Sequence, residues 1–423
     1  MLRFAPSPTG DMHIGHLRVA LLNYLMAKKR EEDFIVRIED IDKEKNVEGK
    51  DQEILDIVAL FGLEYSHVVY QSQNVRFHSA MALQLLHEKK AFSCFCSDEW
   101  LAKKKEEAKE AKKPYSYDDA CRNLPPELVI DNTAPFTVRI ARPDKEIVFE
   151  DAVYGELFFT PDEVDSFVIM HRDKTPTADF ATAVDDMLSD ISFVVRDAAY
   201  LEHTPKQIHV RNQLSYDKEI EYAHIPTLEN AKQWSIKGLL EAGYLPDAIS
   251  NYLVSIGNKV PCEIFTLEEA SSWFSLDMLT KEAEPFSIEK LQKYNKAHMK
   301  RMDATELSRY VGFADADIGE LARLYVDEAA TTKELKTKIA PVFAAREIPE
   351  PMRLDVEKMA VVIKDAPYFE NYADFEVYIK KEIDLGNEAF EKALRLLLTN
   401  SQSGPDIAEI YGCLKNYLGE IIK

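Results

Sequence analysis

His13 and His16 flank Ile14-Gly15 where a short apolar strand gives way to a helix. The strand is Leu2-Arg3-Phe4-Ala5, and the turn runs through Pro6, Ser7, Pro8, Thr9 and Gly10. Gly15 to Lys29 then carries Leu17, Val19, Ala20, Leu22, Tyr24 and Leu25 at helical spacing. Free backbone N–H groups and the helix dipole make such a helix start attractive to phosphate. Gly15 leaves room for a purine or ribose against the backbone. The two imidazoles can donate to an α-phosphate as negative charge builds there, which is transition-state stabilisation by fixed donors.

The elements that must hold this turn follow from the patterning. Phe34-Ile35-Val36-Arg37-Ile38 reads as a second strand, so strand, helix and strand form a parallel βαβ unit. Phe136 to Ile140, Ile147 to Phe149 and Ser166 to Met170 are further strand-like stretches. The Lys- and Glu-rich run from Lys103 to Lys113, closed by Pro114, reads as a solvated surface helix or hairpin arm outside the nucleotide-binding core. From Leu239 onward the pattern is helical, through Ile249 to Leu253 and on to Ala389 to Leu398 and Ile407 to Ile422. The expected architecture is an α/β front half and an all-helical back half.

The stretch Arg3 to His16, written RFAPSPTGxxHIGH, resembles the signature of class I glutamyl- and glutaminyl-tRNA synthetases. Arg37-Ile38-Glu39-Asp40-Ile41-Asp42 is similar to that family's second-strand motif. Arg172-Asp173-Lys174-Thr175-Pro176-Thr177, with Phe180-Ala181 and Val184-Asp185-Asp186, is similar to its fourth-strand region. Thr204 to Gln207 and Gly243-Tyr244-Leu245-Pro246-Asp247-Ala248 also match, so the likeness runs from Met1 to about Lys300. It implies ATP-dependent activation of glutamate and transfer to tRNA, with Mg2+ accompanying the ATP. Pro6 to Gly10 and His13 to His16 would meet ATP. Arg3, helped by Ser7 and Arg196, would hold the substrate's side-chain carboxylate, a task suited to guanidinium. Glu39 would lie near the amino acid's ammonium. A cationic pair suits glutamate better than glutamine.

The same resemblance implies an α/β Rossmann-type nucleotide-binding domain with a parallel sheet, an inserted α/β acceptor-binding subdomain and an all-α C-terminal half. The expected boundaries are residues 1–90 and 172–225 for the Rossmann catalytic domain and 91–171 for the connective insertion. A helical stem-contact domain would span 226–305, and an α-helical anticodon-binding domain 306–423.

The chain departs from this family at three places. The family's lysine-rich KMSKS loop, expected before the Gly243-Tyr244-Leu245-Pro246 segment, looks deleted: His224-Ile225-Pro226 reaches Ser235-Ile236 too soon. Lys232 and Lys237 are the candidates to stand in for it. The acidic residues expected after Arg196 are Ala198 and Ala199, and a tyrosine expected after Pro176-Thr177 is Ala178. Two functions therefore stand: a ligase, or a catalytically impaired paralogue serving as a tRNA-binding or regulatory module.

Cys94, Cys96 and Cys121 cluster with Tyr117 and resemble a zinc site of some glutamyl-type synthetases; three reduced cysteines without metal are the alternative. Five cysteines in 423 residues are too few for a disulfide framework. A formal charge of -22 excludes a broad basic field, so any contact with tRNA, whether the glutamate or the glutamine isoacceptor, must be local and salt-sensitive. Residues 301–423 are themselves more acidic than basic. The first residues lack the regions of a signal peptide, and no apolar run approaches the roughly 18 residues that span a bilayer. A cytoplasmic monomer with no membrane association is expected.

Overall fold

In the computed structural model, which describes residues 1–282 and 284–422, the chain opens with β1 (Leu2–Phe4), α1 (Ile14–Arg30) and β2 (Phe34–Ile38). Both strands are buried along their whole length, as befits central strands of a parallel sheet. The helix starts at His13, whose side chain accepts from the Gly15 N–H, and ends with Lys28, Lys29 and Arg30 in the last turn, where cations complement the dipole. Next come α2 (Lys50–Leu60), β3 (Val68–Tyr70), α3 (Val75–His87), β4 (Ala91–Cys94), α4 (Asp98–Glu110), α5 (Pro126–Ile130) and β5 (Thr137–Ile140). A hairpin, β6 (Ile147–Asp151) and β7 (Gly155–Phe159), leads to α6 (Pro161–Val164), β8 (Val168–Met170) and α7 (Ala178–Leu188). Then follow β9 (Phe193–Asp197), α8 (Thr204–Gln213) and β10 (Glu221–Ile225).

Seven strands form one sheet in the order β3-β2-β1-β9-β10-β6-β7, parallel except for the β6–β7 hairpin. A second, antiparallel sheet holds β4-β5-β8. The chain leaves β1 toward β2 and β3 on one side and returns as β9 and β10 on the other. The carboxyl ends of β1 and β9 are therefore a topological switch point, where open α/β sheets place their ligands. The fold is the expected α/β arrangement with a parallel-dominated sheet and a helical back half.

The chain divides into two units, Met1–Ile236 with Leu253–Phe286, and Lys237–Tyr252 with Ser287–Lys423. In the first, Asn23 on α1 reads β9 like a strand: its Nδ2 donates to the Val195 carbonyl at 2.7 Å and its Oδ1 accepts from the Val195 N–H at 3.1 Å. The second unit is helical around Leu307, Leu321, Leu335, Ile339, Phe390 and Leu394. Its helices Ala304–Val311 and Ala316–Leu324 approach so closely that a Cβ at Gly319 would lie 1.7 Å from the Ala304 carbonyl oxygen.

Helix α1 and strand β2 follow their expected bounds closely, and the Lys-rich run is a helix, α4, none of whose side chains is buried. Two expectations change. The strand expected from Ser166 begins at Val168, after a left-handed Asp165 with φ of 64°. The helix expected over Ile407 to Ile422 is broken into Ile407–Leu414 and Leu418–Ile421.

A buried ion cluster ties the central strands to α7. Asp186 accepts from Arg3 Nε at 2.9 Å and from Arg37 Nη1 at 2.5 Å, and all three side chains are almost or wholly out of solvent. The two guanidinium groups outweigh the burial of Asp186 and hold its carboxyl far below the usual range. Asp186→Asn would leave buried Arg3 without its anion and Arg37 with Glu39 alone as its ion-pair partner. It should destabilise the protein by about 3–5 kcal/mol, read as a lowered urea midpoint. A loss under about 1 kcal/mol would show that these charges are not dependent on each other.

Candidate functional site

The turn after β1 is pinned from both flanks. Pro6 and Pro8 carbonyls accept from the N–H groups of Glu39 and Val47, both at 2.9 Å. Beyond it, Ile14 N–H donates to the Trp234 carbonyl at 3.1 Å and Ile236 N–H to the Met12 carbonyl at 2.8 Å, so His13 and Ser235 form an antiparallel bridge. His13 Nδ1 accepts from the Gly15 N–H at 3.2 Å, which puts the proton of the neutral ring on Nε2, free to donate. The rings of His13 and His16 stack with centroids 3.6 Å apart. His16 shows part of its surface to solvent. Burial of the rest, then His13 and Lys232, bring its pKa down to about 4. His13 is lowered too, by burial and then by Lys232, with Asp197 opposing. Both imidazoles are neutral donors at pH 7.

Beside this turn, at the carboxyl ends of β1 and β9, sit Arg3 and Arg196. Two of the Arg3 nitrogens are committed to Asp186. Glu39 is half-buried, accepting from Arg37 Nη2 at 3.3 Å and Thr182 Oγ1 at 3.2 Å. Arg196 is buried, yet its partners are all neutral: Nε donates to His224 Nε2 at 3.1 Å, Nη1 to Gln207 Oε1 at 3.0 Å, and Nη2 to Thr204 Oγ1. Burial lowers its pKa to about 10, and the nearby positive charge of Arg3 adds to this against Tyr222, Asp186 and Asp179. Ser7 stands exposed in the turn.

The connection after β10 folds back onto the histidine turn. Asn230 takes a left-handed conformation with φ of 58°, and a single 3-10 turn, Ala231–Gln233, follows. Ala231 Cβ lies 3.3 Å from where a Cβ on Gly15 would stand. Any side chain larger than hydrogen at position 15 would therefore crowd His13 and Ala231. Lys232 is brought close enough to act electrostatically on both histidines, whereas Lys237 opens the second unit. Ala198 and Ala199 begin a 3-10 turn capped by Asp197, whose Oδ1 accepts from the Ala199 N–H at 2.8 Å, and Ala178 is the first residue of α7. None of the three offers a polar side chain.

A separate cluster lies at the end of β4. The sulfurs of Cys94, Cys96 and Cys121 all lie within 4.8 Å of one another. The Tyr117 phenol is 3.4 Å from Cys94 Sγ and 3.3 Å from Cys96 Sγ. Asp165 holds the Tyr117 N–H at 3.0 Å, and the Arg139 guanidinium lies 4.0 Å over the Tyr117 ring while its Nε donates to Cys94 Sγ at 3.4 Å. Burial pushes Cys94 up, but the hydrogen bonds from Tyr117, the Cys96 backbone and Arg139 outweigh it and bring the thiol to about 7. The three sulfurs are close enough together to supply three ligands of a tetrahedral zinc site, while burial and hydrogen bonds to the thiols hold the Tyr117 phenol in its protonated form beside them.

Residues 1–293 match the family model for the catalytic domain of class I tRNA synthetases (E and Q). The chain belongs to this family. Along its whole length it is 57% identical to a Sulfurimonas denitrificans protein named glutamate–tRNA ligase 2, and 48% identical to glutamate–tRNA ligase 1 of a Nitratiruptor species; each comparison covers 100% of both chains. The fold is that of a glutamate tRNA ligase from Elizabethkingia meningosepticum solved with its amino acid, with a TM-score of 0.82 at 23% identity over 100% of this chain and 98% of that one. The alignment with the Sulfurimonas protein runs over 432 positions against the 423 residues here, so at least nine positions of that synthetase face a gap.

Sequence reading of this synthetase missed the residues that surround its arginines. Asp186 was visible as part of a family-like segment but not as the partner of Arg3. Thr204 and Gln207 stand in a family-like segment but not as partners of Arg196, and Asp151 and His224 carry no signal, since a histidine in the buried strand Glu221–Ile225 reads as core. The depressed His16 pKa has a consequence for stability. Between about pH 6.5 and 4 the unfolded chain protonates this ring and the folded chain does not, so stability falls on acidification through that window. His16→Asn should show a shallower decline in urea midpoint between pH 7 and pH 5 than the wild type; identical slopes would contradict the shift.

Proposed function

We propose that the protein is a glutamate–tRNA ligase, activating glutamate with ATP and Mg2+ and passing it to tRNA, with the activation step slowed by its remodelled nucleotide side. The observation that carries this reading is Arg196, a buried cation surrounded by neutral acceptors and standing beside Arg3. A buried charge without a counter-ion costs several kcal/mol, and the side-chain carboxylate of glutamate would supply the missing anion. An amide would not, which favours glutamate over glutamine. Glu39 then serves the substrate ammonium, and Pro6 to Gly10, His13 Nε2, His16 and the first N–H groups of α1 serve the phosphates. Curated relatives that align end to end with this chain bear the ligase's name, which supports the same assignment.

In this reading tRNA meets residues 91–171 at its acceptor end, 226–305 along its stem and 306–423 at its anticodon, and the protein works as a cytoplasmic monomer. No helix among the described residues is long and apolar enough to cross a membrane. Cys94, Cys96, Cys121 and Tyr117 hold a structural zinc that pins the arm carrying α4.

A second reading, an impaired paralogue that binds tRNA without activating glutamate, is favoured by Ala231 packed against the Gly15 position and by Ala178, Ala198 and Ala199. Each lost transition-state donor costs on the order of 10²–10³ in rate, and losses within one site do not simply add. Glutamate-dependent ATP–pyrophosphate exchange separates the two. The ligase reading expects measurable exchange, at least about 10²-fold below a synthetase with an intact lysine loop. No exchange from folded protein, with the glutamate or the glutamine isoacceptor present and a positive control active, rejects it. Purified protein should also carry about one zinc per chain by elemental analysis, a content that Cys121→Ser abolishes. Metal-free wild type with all thiols reduced would refute that site.

A further inference from the structure

The Arg196 guanidinium is not merely buried; it is aimed by a chain of groups that begins at the backbone of the β6–β7 hairpin. Asp151, the last residue of β6, accepts at Oδ1 from the N–H groups of Val153 at 3.0 Å and Tyr154 at 2.9 Å. Its Oδ2 accepts from the His224 N–H at 3.0 Å and lies 2.6 Å from His224 Nδ1. His224 Nε2 in turn faces Arg196 Nε at 3.1 Å and Thr204 Oγ1 at 2.8 Å. The side chains of Asp151 and His224 are 0% exposed.

Proton bookkeeping leaves one arrangement. A guanidinium N–H can only donate, so His224 Nε2 must be the acceptor. The ring's single proton then sits on Nδ1, where it donates to Asp151. A second proton on the ring would set two N–H groups against each other across 3.1 Å. Burial and the adjacent Arg196 charge favour the neutral form, against the pull of Asp151. With Nε on His224, Nη1 on Gln207 and Nη2 on Thr204, three of the five N–H groups of Arg196 are spent. One N–H on each terminal nitrogen is left for a further acceptor, the pair a carboxylate can take.

We infer that Asp151 and His224 are positioning residues for substrate selection: through the single tautomer that Asp151 imposes on His224, they fix the orientation in which Arg196 meets a side-chain carboxylate. This rests on the assignment of that carboxylate to Arg196. The groups that hydrogen-bond Arg196 are all neutral, and the Asp151 carboxylate stands one imidazole away. Asp151 balances no net charge on His224 and spends itself on three backbone N–H groups and the imidazole, so Arg196 keeps its charge for the ligand. The pair thus supports preference for a carboxylate over an amide without touching either.

The experiment is calorimetric binding of glutamate and of glutamine to the full-length chain, with folding checked by circular dichroism. Wild type should bind glutamate and prefer it to glutamine. If wild type binds neither, or shows no preference, the carboxylate assignment itself fails and the inference with it, before any variant is made. His224→Leu removes the acceptor facing Arg196 Nε and should lower glutamate affinity about tenfold or more while leaving the weaker glutamine affinity within about threefold. His224→Gln, whose amide oxygen can accept from Arg196, should recover most of the preference. Loss of both ligands in proportion would mean that His224 only supports the fold, and an unchanged preference would mean that Arg196 needs no aiming; either overturns the inference. Should His224→Leu not fold, the near-isosteric Asp151→Asn, which weakens the hold on the Nδ1 proton, must show a reduced glutamate preference, and an unchanged ratio in that variant overturns the inference equally.

Discussion

A guanidinium taken out of water must be answered by the protein, and the three neighbouring strands β2, β1 and β9 each bury one. Arg37 and Arg3 share Asp186, so two cations and one anion are locked together across β2, β1 and α7. Arg196 is answered by an imidazole, an amide and a hydroxyl. The difference matters because a paired buried charge is spent on the fold, whereas one held by neutral dipoles stays available to a ligand. The switch point of the sheet is where this imbalance lies, so topology and electrostatics single out the same place.

The nucleotide side is built on a different support. Its donors, His13 Nε2 and the first N–H groups of α1, belong to the rigid βαβ unit and need no counterpart to keep their geometry. The connection after β10 packs against them, with Ala231 Cβ 3.3 Å from where a Cβ on Gly15 would stand. Fixed donors on one wall stabilise a transition state only if the reacting group can reach them and the opposite wall supplies charge. Lys232 supplies a charge that both histidines feel, so the site retains one cation on its remodelled wall.

Elements with strong local signals were legible in the sequence. Strand β2 is a continuous apolar run broken by one arginine, and α1 shows its apolar face and its basic end within the 17 residues that form it, directly after His13. The short strands β3, β4, β9 and β10 are hard to see in the sequence, since three to five residues carry little periodicity. The turn motif and Arg3 were legible because they are contiguous. The network behind Arg196 was not: Asp151 lies 73 residues before His224, and only the parallel pairing of β10 with β6 brings them together. A net charge of -22 likewise says nothing about the arginines buried in β1, β2 and β9, because composition averages over surface and core.

These two supports explain how one half of the site can change while the other stays. The arginine side is woven into the core: removing Asp186, His224 or Asn23 would expose an unmet polar partner inside the sheet, a penalty of about 1–3 kcal/mol for a neutral group and more for a charge. Substitutions there endanger folding as well as function. The connection from Pro226 to Ser235 is held by backbone hydrogen bonds, by Arg18, whose Nη1 donates to the Pro226 carbonyl at 2.8 Å, by Thr227 on Asp197 and by the Trp234–Phe286 ring contact. Shortening it leaves the sheet intact, since loop length costs stability only slowly. Alanines at 198 and 199 sit in a turn whose cap, Asp197, is still made. Changes in this connection therefore carry less folding penalty than changes among the buried arginines and their partners.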